Sequence, residues 1–205
     1  GGSQFFHIGP KVREIAPSAF DGMFEGSTVP YLIVDSLNPY YSDDFDPIIY
    51  NKDKTCLLIA LSSPGSGIWP ETLIKMAPGC VRGKMSSFNI PQTIVDLEGA
   101  FSECKQPKYS YADVTCPFMV PPVISDATFS DEIFADSEKN VYLQVPEGTE
   151  KLYADAPGWR KFGDYITTMY DEDFKPLPPQ ALNYQMVVHG DSSRTLIDIS
   201  EVSTI

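Results

Sequence analysis

His7 and His189 are the residues of this chain best suited to proton transfer near neutral pH. Neither lies near a nucleophile motif such as Gly-x-Ser-x-Gly, which presents the reactive serine of many hydrolases. Acidic residues are plentiful, but no spacing among them singles out a pair of carboxylates for glycoside hydrolysis. The sequence therefore predicts no catalytic residues and a protein that is not an enzyme.

Two acidic clusters have oxygen ligands of the kind that calcium prefers. They are Asp43, Asp44 and Asp46 in one segment and Asp171, Glu172 and Asp173 in another. Neither cluster follows the Asp-x-Asp-x-Asp-Gly spacing of a calcium loop, so both are typical of solvated loops. The Gly65–Gly67 stretch also lacks the lysine of a phosphate-binding loop. We expect no bound metal and no cofactor.

Aromatic residues surround a segment that reads as a β-hairpin. Asp46–Leu61 contains two apolar runs that flank the polar turn Asn51–Lys54. The aromatic residues around it are Tyr40, Tyr41, Tyr50 and Trp69. Exposed aromatic side chains are common anchors of protein and sugar ligands, so these four are the candidate ligand-binding residues. The alternative is that they pack the hairpin onto the rest of the protein.

The four cysteines are Cys56, Cys80, Cys104 and Cys116, with no Cys-x-x-Cys pair among them. With two histidines in the whole chain, this spacing argues against a zinc site. Two interpretations remain open for Cys80 and Cys104. They form a disulfide in an exported protein, or they are small buried residues at equivalent repeat positions.

Composition narrows the class of protein and its partners. The 205 residues are 42% hydrophobic, which is typical of a globular chain, and the net charge of −13 repels nucleic acid and anionic lipid. The longest apolar run, Cys56–Leu61, is far shorter than the roughly 20 residues of a membrane-spanning helix. We therefore expect no nucleic-acid partner and no membrane insertion.

An eleven-residue pattern occurs three times. VREIAPSAFDG at 12–22 recurs as LIKMAPGCVRG at 73–83 and, slightly shortened, as IVDLEGAFSEC at 94–104. The step from Met76 to Leu97 falls within the 20 to 29 or so residues of leucine-rich repeats. Each copy reads as strand, turn and short helical turn, a unit too small to bury its own apolar face. Neighbouring copies are therefore predicted to stack into one continuous core.

The repeats and the flanking segments define the predicted domain organisation. Residues 5–170 form the repeat domain, with the inserted hairpin at about 37–63 and a capping helix at about 147–166. Residues 171–205 form a charged, proline-rich linker followed by a C-terminal hairpin or tail whose packing is left open.

Four ordered phrases resemble the BspA-like leucine-rich repeat family of Bacteroides-type surface proteins. They are the repeat itself, the hairpin segment NPYYSDDFDPIIYNKDKTCLLIAL (38–61), VTCPFMVPP (114–122) and LQVPEGTEKLYADAPGWRKF (143–162). Together they extend over roughly residues 8 to 166. The resemblance implies an α/β, β-rich, leucine-rich-repeat-like right-handed solenoid of short strands and short helical turns, with the inserted hairpin and a C-terminal capping helix.

The resemblance also implies an extracellular or outer cell-surface location, with a signal peptide removed before Gly1. On this basis we expect a monomeric, non-enzymatic interaction or adhesion module that contacts a protein or glycan partner. The alternative is a structural spacer or accessory domain of a larger surface protein, without a ligand of its own. Function inferred from fold is an association rather than a physical derivation.

Overall fold

The computed structural model describes residues 5–20, 31–44, 47–61, 68–107, 109, 111–136, 138, 140–169, 184–188 and 194–198. The first strands are β1 (Phe5–Ile8), β2 (Tyr31–Val34), β3 (Tyr41–Ser42), β4 (Ile48–Asn51), β5 (Cys56–Ala60), β6 (Lys75–Met76) and β7 (Arg82–Lys84). The later strands are β8 (Phe88–Asn89), β9 (Glu103–Lys105), β10 (Tyr111–Thr115), β11 (Asn140–Val145), β12 (Ile166–Thr168), β13 (Tyr184–Val188) and β14 (Arg194–Asp198). The helix α1 covers Glu150–Asp155, and 3₁₀ helices cover Pro17–Phe20, Asp131–Phe134 and Trp159–Tyr165.

The strands of the described residues form five separate short sheets. β1 and β2 pair in parallel, as do β7 and β9, while β13 and β14 form an antiparallel hairpin. β3, β4 and β5 are antiparallel neighbours, and β6 joins them in parallel. The remaining sheet has the order β12, β11, β10, β8 and is parallel throughout.

Two hydrophobic clusters lie on either side of strand β4. Ile48 and Tyr50 face the larger cluster and Ile49 faces the smaller one, and all three are fully buried. This follows from strand geometry, because successive side chains point to opposite faces. The strand therefore has apolar residues on both faces rather than an alternating pattern.

The predicted α/β, leucine-rich-repeat-like right-handed solenoid is wrong. The described residues form a β-rich fold of several short sheets with one α-helix, and no closed solenoid. The prediction required one continuous core, but the first repeat copy packs in the smaller cluster, through Val12 and Ile15, and the second in the larger, through Leu73 and Met76. The antiparallel strands β3, β4 and β5 lie between those two copies in the chain and interrupt any regular parallel ladder.

The second and third repeat copies do lie side by side. The amide of Met76 donates to the carbonyl of Asp96 (2.8 Å), and the amide of Val81 donates to the carbonyl of Ala100 (3.0 Å). The β-pairing between them consists of the short parallel pair β7 and β9 and the isolated bridge from Lys75 to Asp96. Local similarity of sequence thus produces local similarity of packing, without one extended sheet.

Aromatic rings support the parallel sheet from its buried side. The ring centroids of Phe88 and Phe101 are 5.3 Å apart, those of Phe101 and Phe129 4.8 Å, and those of Phe129 and Trp159 5.4 Å. Each of these four side chains is almost fully buried. Large buried rings contribute much of the core's apolar area, so this column holds the sheet rigidly in place.

The segment 118–122, which follows β10, accepts hydrogen bonds from buried aromatic side chains of α1 and of the 3₁₀ helix after it. The Tyr153 hydroxyl donates to the Phe118 carbonyl (2.7 Å), and Trp159 Nε1 donates to the Pro122 carbonyl (2.8 Å).

Among the described residues, no helix has the length and apolar character needed to cross a membrane. The division of the chain into residues 5–170 and 171–205 remains a prediction, and 171–183 lie outside the described residues.

Candidate functional site

The segment before the hairpin, which carries Tyr40 and Tyr41, is fixed by Asn38. The Asn38 side chain is fully buried; its amide donates to the carbonyls of Gly9 (2.9 Å) and Val12 (3.0 Å). Its Oδ1 accepts from the backbone amides of Tyr40 (2.8 Å) and Tyr41 (3.0 Å). All of these groups are backbone groups that would otherwise lose hydrogen bonds on burial. Asn38 is therefore a structural residue that connects this segment to the backbone of residues 9–12.

The two tyrosines that follow Asn38 differ in how much of each side chain is accessible to a ligand. Tyr41 is half-buried, and its hydroxyl donates to the Arg13 carbonyl (3.1 Å). Tyr40 is 44% exposed, and its ring centroid is 6.4 Å from that of Tyr41. Tyr40 thus offers a limited surface, and Tyr41 helps to hold the hairpin in place.

The hairpin turn is held by its own polar side chains, and Tyr50 belongs to the core. Asn51 Oδ1 accepts from the Cys56 amide (2.9 Å), and Lys54 occupies the left-handed backbone region with φ 54°. Tyr50 is fully buried, with the Lys54 ammonium 5.6 Å from its ring centroid. Tyr50 is therefore placed to stabilise the fold rather than to contact a ligand directly.

Trp69 lies beside the edge strand of the parallel sheet, apart from the three tyrosines. Its Nε1 donates to the Asn89 carbonyl (2.9 Å), and its ring centroid is 5.4 Å from that of Phe88. The side chain is partly buried against the larger hydrophobic cluster. The structure thus does not bring the four predicted ligand-binding residues into one surface.

The acidic and histidine candidates are also dispersed. Asp43 accepts a hydrogen bond from the Val34 amide, and Asp44 pairs with the Lys54 ammonium. His7 is exposed, with Nε2 4.0 Å from an Asp35 carboxylate oxygen. The candidates outside the described residues are Asp46, Gly65–Gly67, Asp171, Glu172, Asp173 and His189. Within the described part of the chain, no group of three His, Cys, Asp or Glu side chains is placed to hold a metal ion.

All four cysteines are free thiols, and three of them are buried. Cys104 donates to the Val81 carbonyl (3.3 Å), and burial raises the pKa values of both Cys80 and Cys104. Burial also raises the pKa of Cys116 to about 12, and its sulfur lies 3.2 Å from the Tyr153 hydroxyl. Such thiols are protonated and inert, which agrees with the interpretation of small buried residues rather than a disulfide.

The outward side chains of the parallel sheet are aligned across its strands and form a surface that the sequence analysis did not predict. The register places Asp113 opposite Tyr142, and Thr115 opposite both Asn89 and Gln144. Gln144 in turn faces Thr167 on β12. The outward residues across the sheet are Asn89, Tyr111, Asp113, Thr115, Asn140, Tyr142, Gln144 and Thr167, with Tyr165 directly before β12. None of these side chains is buried. We call this surface the open face.

Three tyrosines lie on the open face. Tyr111 is 58% exposed and Tyr165 is 41% exposed. The rings of Tyr142 and Tyr165 meet edge to face, with centroids 5.4 Å apart at an interplanar angle of 87°. This geometry is favourable for aromatic pairs, so Tyr165 is held at a defined position while part of its ring stays accessible.

Polar side chains next to these rings are oriented by one another. Gln144 Nε2 donates to Asp113 Oδ1 (3.3 Å), and Thr115 Oγ1 donates to Gln144 Oε1 (3.5 Å). The Asp113 amide donates to Ser87 Oγ (3.4 Å). Carboxylate and amide groups have several hydrogen-bonding positions, and these contacts occupy only some of them. The open face therefore combines accessible rings with oriented donors and acceptors.

A concavity lies elsewhere, where Ile15 and Tyr41 meet residues of β5 and of the second repeat copy. Its volume is about 210 Å³, and it is lined by Ile15, Tyr41, Leu58, Ala77, Pro78 and Arg82, among others. Ligand pockets usually enclose roughly 300 to 1,000 Å³. The cleft is below that range, so the open face is the stronger candidate for recognition.

Alternation was the signal that could have identified the open face. In Tyr111-Ala112-Asp113-Val114-Thr115, every second residue is apolar and buried, and the others point outward. The sequence does not say which strands are neighbours, so it does not reveal that four strands form one surface. Comparisons of the chain with protein-family models, with curated proteins and with solved structures found no match.

Proposed function

We infer that this chain is a non-enzymatic interaction or adhesion module, exported or displayed on a cell surface, which binds a protein or glycan partner through the open face. One observation carries the proposal: a four-stranded parallel sheet has one face on which no outward side chain is buried and on which Tyr111 and Tyr165 are exposed. Parallel sheets are usually covered on both faces. A face of this kind is suited to be covered by a partner.

The types of side chain on this face support the same proposal. Tyrosine is enriched at binding surfaces because it offers a large contact area and a hydroxyl with few rotatable bonds. Tyr111 and Tyr165 are exposed, and the polar side chains of Asp113 and Gln144 lie on the same face. The described residues bring no nucleophile and base together here, so the arrangement favours recognition over catalysis.

The test is binding of the labelled, full-length chain to arrays of glycans and extracellular-matrix proteins, beside the double variant Tyr111→Ala/Tyr165→Ala. Point variants are preferable to deletion of the hairpin, because β4 and β5 are part of both hydrophobic clusters. The matched control is Tyr31→Ala, which removes an equally exposed tyrosine from the separate sheet of β1 and β2.

We expect saturable binding that the double variant lowers by about tenfold or more and that the control keeps. Equal binding by all three proteins would place the site elsewhere. Absence of saturable binding to every array member would contradict the interaction module and favour the alternative, a structural spacer or accessory domain of a larger surface protein.

A further inference from the structure

We propose, on the basis of the function inferred above, that the ligand of the open face is an uncharged carbohydrate chain that lies across the strands. The juxtaposition behind this proposal is three tyrosine rings, on β10, on β11 and directly before β12, interspersed with amide, hydroxyl and carboxylate groups on one face of a parallel sheet.

Charge excludes the acidic carbohydrates. Strands β8, β10, β11 and β12, which are described along their whole length, contain no Lys or Arg and one carboxylate, Asp113. The chain as a whole has a net charge of −13. Sulfated or carboxylated polysaccharides require cationic side chains, and the field of this protein repels them. An uncharged ligand meets no such repulsion.

The rings and polar groups match the two sides of a sugar. The C–H face of a hexose packs on an aromatic ring, and such rings are provided by Tyr111 on β10, Tyr142 on β11 and Tyr165 directly before β12. Sugar hydroxyls both donate and accept hydrogen bonds, which fits Asp113 and Gln144. These two groups are already oriented by their contact at 3.3 Å, so little side-chain entropy is lost on binding.

Because the outward residues of paired strands lie opposite one another, they are regularly spaced across the open face. Neighbouring strands lie about 4.8 Å apart, close to the length of one hexose unit. Asp113 lies opposite Tyr142, whose ring contacts that of Tyr165, and Thr115, Gln144 and Thr167 form the next row. A linear oligosaccharide that crosses the strands therefore meets one row position per sugar.

A peptide ligand fits this face less well. The outward residues of the four strands include no Val, Ile, Leu or Met to form an apolar pocket for a peptide side chain. Strands β10 and β11 are paired on both sides, so their backbones are not available for strand addition. Protein binding is therefore an outcome of the test rather than the proposal.

The experiment is affinity electrophoresis of the full chain through gels that contain neutral polysaccharides (mannan, xylan, galactan, glucan) or acidic ones (heparin, polygalacturonate), followed by calorimetry with oligosaccharides of the retarding type. Tyr111→Ala, Tyr165→Ala, Tyr165→Phe and Asp113→Asn are compared with Tyr31→Ala. Urea denaturation of each variant separates loss of binding from loss of fold.

We expect retardation by at least one neutral polysaccharide and by neither acidic one. The affinity should fall about fivefold in each Tyr→Ala variant, while Tyr165→Phe and Tyr31→Ala keep it, because the ring face supplies the contact. Asp113→Asn, which keeps an oxygen acceptor, should change the affinity of a neutral ligand less than Tyr111→Ala.

Two outcomes overturn the proposal, and they are distinguishable from failure of the proposed function. Binding to acidic polysaccharides, or to an extracellular-matrix protein alone, with the same dependence on Tyr111 and Tyr165, rejects the uncharged carbohydrate and leaves the binding module in place. No binding to any carbohydrate or protein rejects both. Neutral-glycan binding that Tyr111→Ala and Tyr165→Ala leave unchanged also rejects the proposed site.

Discussion

The hairpin and the open face both contain three tyrosines, yet the two regions use them in opposite ways. In the hairpin region, which carries Tyr40, Tyr41 and Tyr50, Tyr50 is fully buried and the Tyr41 hydroxyl donates a hydrogen bond to the Arg13 carbonyl. On the open face, the rings of Tyr111 and Tyr165 remain accessible. The difference lies in the strands that carry them, because β4 has a hydrophobic cluster on each side whereas β10 and β11 have one on a single side. Aromatic content alone therefore does not identify a binding surface.

The largest expected difference between the two regions is how much the loss of a tyrosine lowers the free energy of unfolding. Tyr50→Ala should lower the free energy of unfolding by about 3–5 kcal/mol, because it empties a large site between Ile48 and Leu57 in the core. Tyr111→Ala, at an exposed position, should change it by no more than about 0.5 kcal/mol. Urea denaturation followed by circular dichroism measures both values. Equal losses in the two variants would mean that Tyr111 has a structural role too.

Part of this contrast was accessible from the sequence. The polar turn at Asn51–Lys54 predicted the antiparallel segment, and period-two alternation pairs Ile48 with Tyr50 on one face. Tyr50 is nevertheless among the predicted ligand-binding residues, because it is one of four aromatic residues around the hairpin and exposed aromatic side chains are common ligand anchors. Only tertiary packing reveals that a second apolar cluster covers the other face of β4, through Ile49.

The fold itself was less predictable than its parts. Similar eleven-residue units suggested one continuous stack, but similarity of sequence does not specify which hydrophobic cluster a unit joins. Val12 and Leu73 occupy the same place in the repeat and pack in different clusters. The open face was missed for a related reason: pairing of β10 with β11 connects residues that are far apart in the chain. Such long-range neighbours leave no local signal.

A second stability prediction concerns how the hairpin region is attached. Asn38→Ala should cost about 2–3 kcal/mol, because the carbonyls of Gly9 and Val12 lose their donor in a buried setting. Gln92→Ala, at an exposed position, is the control and should stay within about 0.5 kcal/mol. Thermal melts of the two variants provide the comparison. A neutral Asn38→Ala would show that this segment does not depend on the asparagine.

The two regions should also differ in their response to alkaline pH. Burial raises the pKa of Cys116, directly after β10, from its ordinary value of 9.0 to about 12. Above pH 9 the unfolded chain releases this proton while the folded chain keeps it, so stability falls as pH rises toward 12. The contribution to this slope is about 1.4 kcal/mol per pH unit.

Cys116→Ala should therefore have a shallower loss of stability between about pH 9 and 11 than the unchanged protein. Cys56→Ala in β5 is the matched control, because Cys56 is only half-buried and burial raises its pKa less. Urea midpoints at several pH values measure the slopes. Identical slopes for the unchanged protein and Cys116→Ala would contradict the protonated, buried thiol.

The smallest expected effect is the most direct test of how the two regions divide their roles. Tyr40 and Tyr165 are almost equally exposed, at 44% and 41%, so each Ala variant removes a similar accessible ring. If the open face carries recognition, Tyr165→Ala should weaken ligand binding by about fivefold, or about 1 kcal/mol, and Tyr40→Ala should leave it unchanged. Calorimetric titration of both variants with the same ligand measures this difference. The reverse result would return the binding site to the hairpin, because accessibility is matched and only location differs.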